Sequence, residues 1–327
     1  MSVPADRDSI ERLIALPRLP LVAAPTPIDD LSRLRAAIGA PSTLLVKRDD
    51  AIPFGFGGNK IRKLQVVAAH ALESGADVLI TCGGVQSNHA RATAAVAARM
   101  GLGCVLVANG TRPRTPTANA LLDRFLGAEV RYVESRAERA PAMERIADEL
   151  RTHGHRPFVI PLGASTPLGA AAYAIAVGEM LDQIPPPDLI VLATSSGGTL
   201  AGIIAGCRLR GLATRVLGIS ADDPSAAIAA EVRRILAGLE TLIGTAAGAL
   251  TPAFVEVDDT FVGEGYGVPT AQSTEAIELC ARTEALFLDP TYTGKAMAGL
   301  IAKTRAQEIE AGTTLFWHTG GQVGLFA

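Results

Sequence analysis

Short apolar runs alternate along the chain with longer segments of helical periodicity, and this alternation limits the fold more than any other feature. Asp77-Val78-Leu79-Ile80-Thr81, Cys104-Val105-Leu106-Val107-Ala108 and Leu189-Ile190-Val191-Leu192-Ala193 are apolar nearly throughout. Residues 215–219 and 314–318 repeat the pattern. Between these runs lie helix-like stretches at 90–100, 117–126, 141–152, 169–184, 200–210 and 226–239. A strand that is apolar on both faces needs cover on both faces. The pattern therefore predicts an α/β fold of open, mostly parallel sheets with helices on both sides. Further strands are expected at 43–47, 129–133 and 157–161. Further helices are expected at 31–38, from Lys60 to about Ser74, at 271–282, and from the Lys295 region to about Gly312. Residues 1–30, spaced by prolines, read as irregular.

At 327 residues the chain has room for two cores. Charged residues are only 19% against 48% hydrophobic, which excludes a disordered or fibrous chain. A formal net charge of −3, with no Lys/Arg block, argues against nucleic acid as the partner. No apolar run nears the roughly 20 residues of a membrane span, and the N-terminus lacks a charged-then-apolar leader pattern. Cys82, Cys104, Cys207 and Cys280 are far apart and form no C-x-x-C pair. They read as reduced thiols in a cytoplasmic protein without a structural metal.

Three loops could carry chemistry. Gly57-Gly58-Asn59-Lys60-Ile61-Arg62-Lys63-Leu64 turns on two glycines and enters a helix, setting Lys60 in the first turn. There the helix dipole would push an amine toward its neutral, nucleophilic form. The chain has five lysines against 25 arginines, so a lysine kept in a glycine turn suggests chemical use. Ser195-Ser196-Gly197-Gly198-Thr199 follows a strand and opens a helix, as an anion cup for phosphate does; an ordinary glycine turn reads the same way. Gln86-Ser87-Asn88-His89 offers amide, hydroxyl and imidazole donors at another helix start, suited to a carboxylate. Neither glycine loop has the spacing of a nucleotide P-loop or a dinucleotide fingerprint, although Asp222 lies at about the distance expected of a ribose-binding acid. His89 lacks enough partners for a metal site. An amine, a phosphate cup and a carboxylate cup together suit pyridoxal phosphate.

Beyond these loops, Gly265-Tyr266-Gly267-Val268-Pro269, Asp289-Pro290-Thr291-Tyr292-Thr293-Gly294-Lys295 and His318-Thr319-Gly320-Gly321 complete a set of motifs in order along the chain. The set closely resembles the aminocyclopropane-carboxylate deaminase/D-cysteine desulfhydrase family. The resemblance implies a tryptophan synthase β-like fold (pyridoxal phosphate fold type II) and a homodimer. It also implies a larger cofactor domain of residues 1–57 and 163–327, and a smaller domain of 58–162 carrying the Schiff-base lysine. By the same resemblance Lys60 would bind the cofactor and move the substrate's α-proton. Lys63, Ser196, Gly197, Gly198, Thr199 and Leu200 would hold the phosphate, and Asn88 would meet the ring hydroxyl. Ser87, Asn88 and His89 would take the substrate carboxylate, Tyr292 would pack beside the ring with Tyr266 near it, and Thr293 would face the pyridine nitrogen with Thr319 adjacent. Catalysis would fall to Lys60, Ser87 and Tyr292.

Two positions divide the family. Deaminase-type members carry Glu where this chain has Thr293 and Leu where it has Thr319; desulfhydrase-type members carry hydroxyls. A carboxylate keeps the pyridine nitrogen protonated and the ring a strong electron sink, which ring opening needs. A hydroxyl leaves it neutral, which suffices when a good leaving group departs. The reading is therefore β-elimination from a small amino acid, D-cysteine first. L-cysteate sulfo-lyase, aminocyclopropane-carboxylate deaminase and D-serine or β-chloroalanine lyase are the alternatives. A dinucleotide-dependent oxidoreductase or a non-catalytic amino-acid-binding protein are those from other classes. Leu200, the 117–120 segment and Gln322-Val323 depart from the family pattern near the pocket.

Overall fold

The computed structural model describes residues 6–327. The chain opens with α1 (Arg7–Ile14), β1 (Ile28–Asp30), α2 (Ser32–Ile38), β2 (Thr43–Arg48) and α3 (Asn59–Glu73). Then come β3 (Val78–Gly84), α4 (Asn88–Met100), β4 (Gly103–Asn109), α5 (Ala118–Phe125), β5 (Glu129–Val133), α6 (Arg139–Thr152) and β6 (Pro157–Val159). The remainder is α7 (Pro167–Leu181), β7 (Leu189–Thr194), α8 (Gly198–Leu209), β8 (Arg215–Ser220), α9 (Ser225–Ile243), β9 (Glu256–Asp258), α10 (Ala271–Glu284), α11 (Thr293–Arg305) and β10 (Thr313–His318).

Two sheets form. One has the order β1-β2-β10-β7-β8-β9, parallel except for the antiparallel edge strand β1. The other, β5-β4-β3-β6, is parallel throughout and is built from strands between residues 78 and 159. Continuous apolar strands give the six-stranded sheet two cores. Ile190, Leu192, Leu315 and Trp317 pack to one face against Tyr173 and Ile203. Val191, Ala193 and Phe316 pack to the other against Met297 and Leu300. The chain is thus the α/β fold that the alternation predicts.

The differences have local causes. The expectation of irregular chain at 1–30 is corrected from residue 6 onward, residues 1–5 lying outside the described part. Asp6 caps α1, accepting from the Ser9 amide at 3.1 Å, and Leu13 of that helix is fully buried. β1 forms because Ile28–Asp30 pairs with β2 in the fold, a contact no local pattern announces. α7 starts at Pro167, ahead of the expected start at 169, because Thr166 caps it and proline suits the first helical turn. The strand expected to reach Pro161 ends at Val159, and the last long helix ends at Arg305.

Candidate active site

A cavity of about 270 Å³ lies between the two sheets, walled by the ends of β3 and β7 and the first turns of α3, α4 and α8. Lys60, Ser87, Asn88, His89, Tyr266, Tyr292 and Thr319 all line it. The sequence therefore folds so that loops more than 200 residues apart meet at the ends of parallel strands, where ligands of such sheets bind.

Lys60 is the second residue of α3, and the turn before it admits only glycine. A Cβ on Gly57, at φ 66°, would come within 2.5 Å of the Asp50 carbonyl oxygen, and one on Gly58, at φ 94°, within 3.0 Å of that of Thr319. Asn59 locks the turn: its amide donates to Thr319 O at 2.9 Å and its Nδ2 to Thr199 Oγ1 at 2.9 Å. Lys60 makes no hydrogen bond or ion pair with any described residue. Half-buried, it lines the cavity, and burial pushes its amine down to about 8. The sequence reading credited the helix dipole; burial is the cause found.

Lys63, one turn on, is 1% exposed and has no carboxylate partner. Its Nζ donates to Gly163 O at 3.1 Å and Ser165 Oγ at 3.4 Å. Burial, and then the charge of Lys60, hold its amine well below the ordinary lysine range. Ser165 Oγ lies 2.7 Å from Ser196 Oγ and accepts from the Gly198 amide at 3.3 Å. A Cβ on Gly198 would sit 2.9 Å from Lys63 Nζ, so glycine keeps this corner open. The Thr199 and Leu200 amides have no backbone acceptor in the first turn of α8. Leu200 can offer only that amide, because its side chain is fully buried among the apolar residues behind the loop. A buried amine with no carboxylate partner, two hydroxyls and free helix N–H groups make a site that fits a phosphate.

Ser87 caps α4, accepting from the Ala90 amide at 3.2 Å. His89, 3% exposed, sits 2.8 Å from Thr81 Oγ1, whose own proton goes to Ile160 O at 2.8 Å. His89 Nε2 and Thr81 Oγ1 thus share one hydrogen bond, and Nδ1 has no hydrogen-bond partner among the described residues. Burial, then Lys60 and Lys63, push this imidazole well below its ordinary range, so it is neutral. Its Nε2 is engaged by Thr81, and the backbone amides of Asn88 and His89 are further donors that α4 offers a carboxylate.

Tyr292 and Tyr266 join hydroxyl to hydroxyl at 2.7 Å, with ring centroids 5.8 Å apart. Burial and then Tyr266 hold Tyr292 well above the ordinary tyrosine range, so it is a neutral phenol. Asp289 builds the turn beneath it, accepting from the amides of Thr291, Tyr292 and Thr293 at 2.9 Å each. Lys295 Nζ donates to Val262 O and Gly265 O at 2.8 Å, pinning the Tyr266 loop. Thr293 is fully buried behind the cavity wall, and its hydroxyl proton is committed to Asp289 Oδ1 at 2.7 Å. With that proton engaged, Thr293 has none to donate to a pyridine nitrogen, and of these two threonines it is Thr319 that lines the cavity.

Sequence reasoning missed Arg136 and its contacts at the cavity wall. Arg136 meets Asp222 at 2.7 Å and lies 5.0 Å over the Tyr266 ring. These residues come from three separate loops and share no motif, so spacing gave no signal; Asp222 takes this ion pair and not a ribose.

Over residues 19–320 the chain matches the family of pyridoxal-phosphate dependent enzymes, and it belongs to that family. The lysine, phosphate corner and aromatic wall described above fit that cofactor. Among its relatives, the chain is 38% identical to D-cysteine desulfhydrase of Klebsiella pneumoniae subsp. pneumoniae, with 98% of each chain covered. It is also 38% identical to D-cysteine desulfhydrase of Salmonella schwarzengrund, covering 97% of this chain and 98% of that one. A crystal structure of an ACC deaminase homologue matches with a TM-score of 0.91 at 36% identity, covering 98% of this chain and 96% of the other. Threonine deaminase isoform 2 from Solanum lycopersicum shares the fold, with a TM-score of 0.70 at 14% identity over 98% and 87% of the two chains. Among the described residues no helix is long and apolar enough to cross a membrane, and no His/Cys/Asp/Glu group could hold a metal.

Proposed function

We propose that this enzyme removes the β-substituent of a small amino acid, D-cysteine for preference. With one water consumed, the products are hydrogen sulfide, pyruvate and ammonia. The observation that carries the reading is the unpaired Lys60 amine, lowered to about 8, set between a phosphate corner and a carboxylate-binding helix start in one cavity. The curated desulfhydrase relatives point to D-cysteine.

Pyridoxal phosphate, when bound, supplies the electron sink. Lys63, Ser196, Gly197, Gly198, Thr199 and the Leu200 amide would hold its phosphate, and Asn88 would meet its ring oxygen. The amides of Asn88 and His89, with Ser87, fix the substrate carboxylate, and the Lys60 amine takes the proton from Cα. Tyr292, kept protonated beside Tyr266, is the donor to the departing sulfur. Carboxylate and amine fix two substituents of Cα, so one enantiomer presents its proton to Lys60, and the other loses at least about 100-fold.

Sheet membership supports division into 58–162 and the remainder. Four buried, unpaired thiols favour a reducing cytoplasm, and a homodimer is the assembly that the family resemblance implies. The likeness to the ACC deaminase homologue favours ring opening as the second reading. A parallel assay of sulfide, pyruvate and ketobutyrate on D-cysteine, L-cysteine, L-cysteate and aminocyclopropane carboxylate decides. Sulfide from D-cysteine is the expected result. Ketobutyrate from the cyclopropane, or sulfite from L-cysteate, without sulfide from D-cysteine would overturn it.

A further inference from the structure

Ser87 and Asn88 line the cavity, but a residue outside it holds their loop. Asn119, fully buried in the first turn of α5, donates its backbone amide to Gln86 Oε1 at 3.0 Å. Its Nδ2 donates to Gln86 O at 3.0 Å and to Asn88 Oδ1 at 2.8 Å. Its Oδ1 accepts from Arg91 Nε at 3.2 Å. The chain reaches this position through Ala118 at φ 44°, a left-handed conformation that a residue with a Cβ adopts only when its surroundings enforce it.

These contacts fix an order of polarity. A guanidinium has donors only, so the Asn119 atom that meets Arg91 must be the oxygen. Arg91 cannot turn away, being 1% exposed and tied also to Gly57 O at 3.4 Å. The Asn119 amine is therefore aimed at Asn88, which must answer with its oxygen. That leaves the Asn88 amine as the group free to face the cavity. An acceptor placed there is welcomed, and most strongly when it is negatively charged.

We propose that Asn119 is a positioning residue that sets the hydrogen-bond polarity of the cavity. The relay Arg91–Asn119–Asn88 presents an N–H donor, and not a carbonyl, to the ring oxygen of the cofactor. This rests on the reading that Asn88 meets that oxygen. Asn119→Asp reverses the relay. A carboxylate still pairs with Arg91, but it only accepts, so Asn88 must turn its amine to residue 119 and its oxygen to the cavity.

The test is the dissociation constant of cofactor-stripped full-length protein for pyridoxal phosphate and for an analogue lacking the ring hydroxyl. Wild type should favour pyridoxal phosphate by about tenfold, the scale of one hydrogen bond to an ionised group. Asn119→Asp should erase or invert that preference while leaving analogue affinity nearly unchanged; it also strips the Gln86 carbonyl of its donor, so the unfolding temperature should fall. A merely structural role would weaken both ligands together. Asn119→Ala, which frees Asn88 to rotate, should reduce the preference to about threefold and serves if the Asp variant does not fold. Asn88→Ala separates the premises. If it keeps the wild-type preference, the reading of Asn88 fails. If it loses the preference while both Asn119 variants keep it, the relay is overturned.

Discussion

Helix α3 carries three cations in four positions, and its two sides treat them in opposite ways. On the side away from the cavity, Arg62 is 2% exposed and fully paired. It donates to Asp49 and to both oxygens of Glu179 at 2.8 Å, and to Thr26 Oγ1 at 2.9 Å. Asp49 also takes the Tyr173 hydroxyl at 2.6 Å and the Trp317 indole at 2.8 Å, and Lys47 meets Glu179 at 2.7 Å. On the cavity side, Lys60 and Lys63 have no carboxylate at all. Desolvation acts on both sides, but only one compensates it. A buried cation with partners stays charged and fastens the helix; one without partners is driven toward the neutral amine and becomes available for chemistry or for an anion. Two residues of spacing thus separate an anchor from a reagent.

The largest break in this comparison comes from Lys60→Ala. The variant should lose about 10⁴-fold or more in turnover, since the amine both attaches the cofactor and moves the proton. The cofactor-free variant should be no less stable than wild type, because the amine it lacks had no partner. A folded variant with near-wild-type turnover would end the assignment.

Arg62→Met tests the opposite side. Removing one member of a buried ionic group leaves Asp49 and Glu179 uncompensated, at a cost of about 3–5 kcal/mol. Urea denaturation measures it, and a variant as stable as wild type would show that the network fastens nothing.

Much of this contrast was legible in the sequence. The alternation of apolar strands and helices gave the parallel sheets, and the glycine turn placed Lys60 in a first helical turn. What stayed hidden depends on distant partners. Arg62 sits in the same motif as Lys60, yet nothing local marks it as an anchor, because Glu179 lies 117 residues away. Asn119 was visible only as a departure from the family pattern; its four hydrogen bonds exist only in the folded chain. Thr293 was assigned by motif to the pyridine nitrogen, while Asp289 four residues earlier already claims its proton. Motifs named the residues that face the cavity more readily than the residues that hold them there.

Lys63→Met sharpens the cavity side. Loss of the cation at the phosphate corner should weaken pyridoxal phosphate about 10–100-fold, the scale of a charge-assisted hydrogen bond. Stability of the cofactor-free protein should hold or rise, since a desolvated, uncompensated amine is removed. Equal weakening of pyridoxal, which lacks the phosphate, would show that Lys63 acts elsewhere.

The smallest effect is the dependence of stability on pH, where both sides make stability rise with pH but in separate windows, the Glu179 charge as a gain and the Lys60 charge as a cost. Burial alone would raise Glu179, but Arg62 and Lys47 overcome it and hold the carboxyl at about 2, below the ordinary 4.5. In acid, the unfolded chain protonates this group before the folded one does. Its stabilisation is therefore complete above about pH 4.5 and is lost as pH falls toward 2. For Lys60 the charge is a cost and not a gain. Its amine is held at about 8 against an ordinary 10.5, so below pH 8 the folded protein bears the cost of a desolvated charge. Between 8 and 10.5 the unfolded chain holds a proton that the folded one has released, and stability should rise with pH across that window. One group contributes a slope of at most about 1.4 kcal/mol per pH unit. Solvent reaching the cavity reduces it for Lys60. The difference between wild-type and Lys60→Ala denaturation curves, both cofactor-free, isolates the alkaline limb. A flat difference from pH 8 to 10.5 would mean that burial does not hold the Lys60 amine low, and the contrast between the two sides of α3 would lose its electrostatic basis.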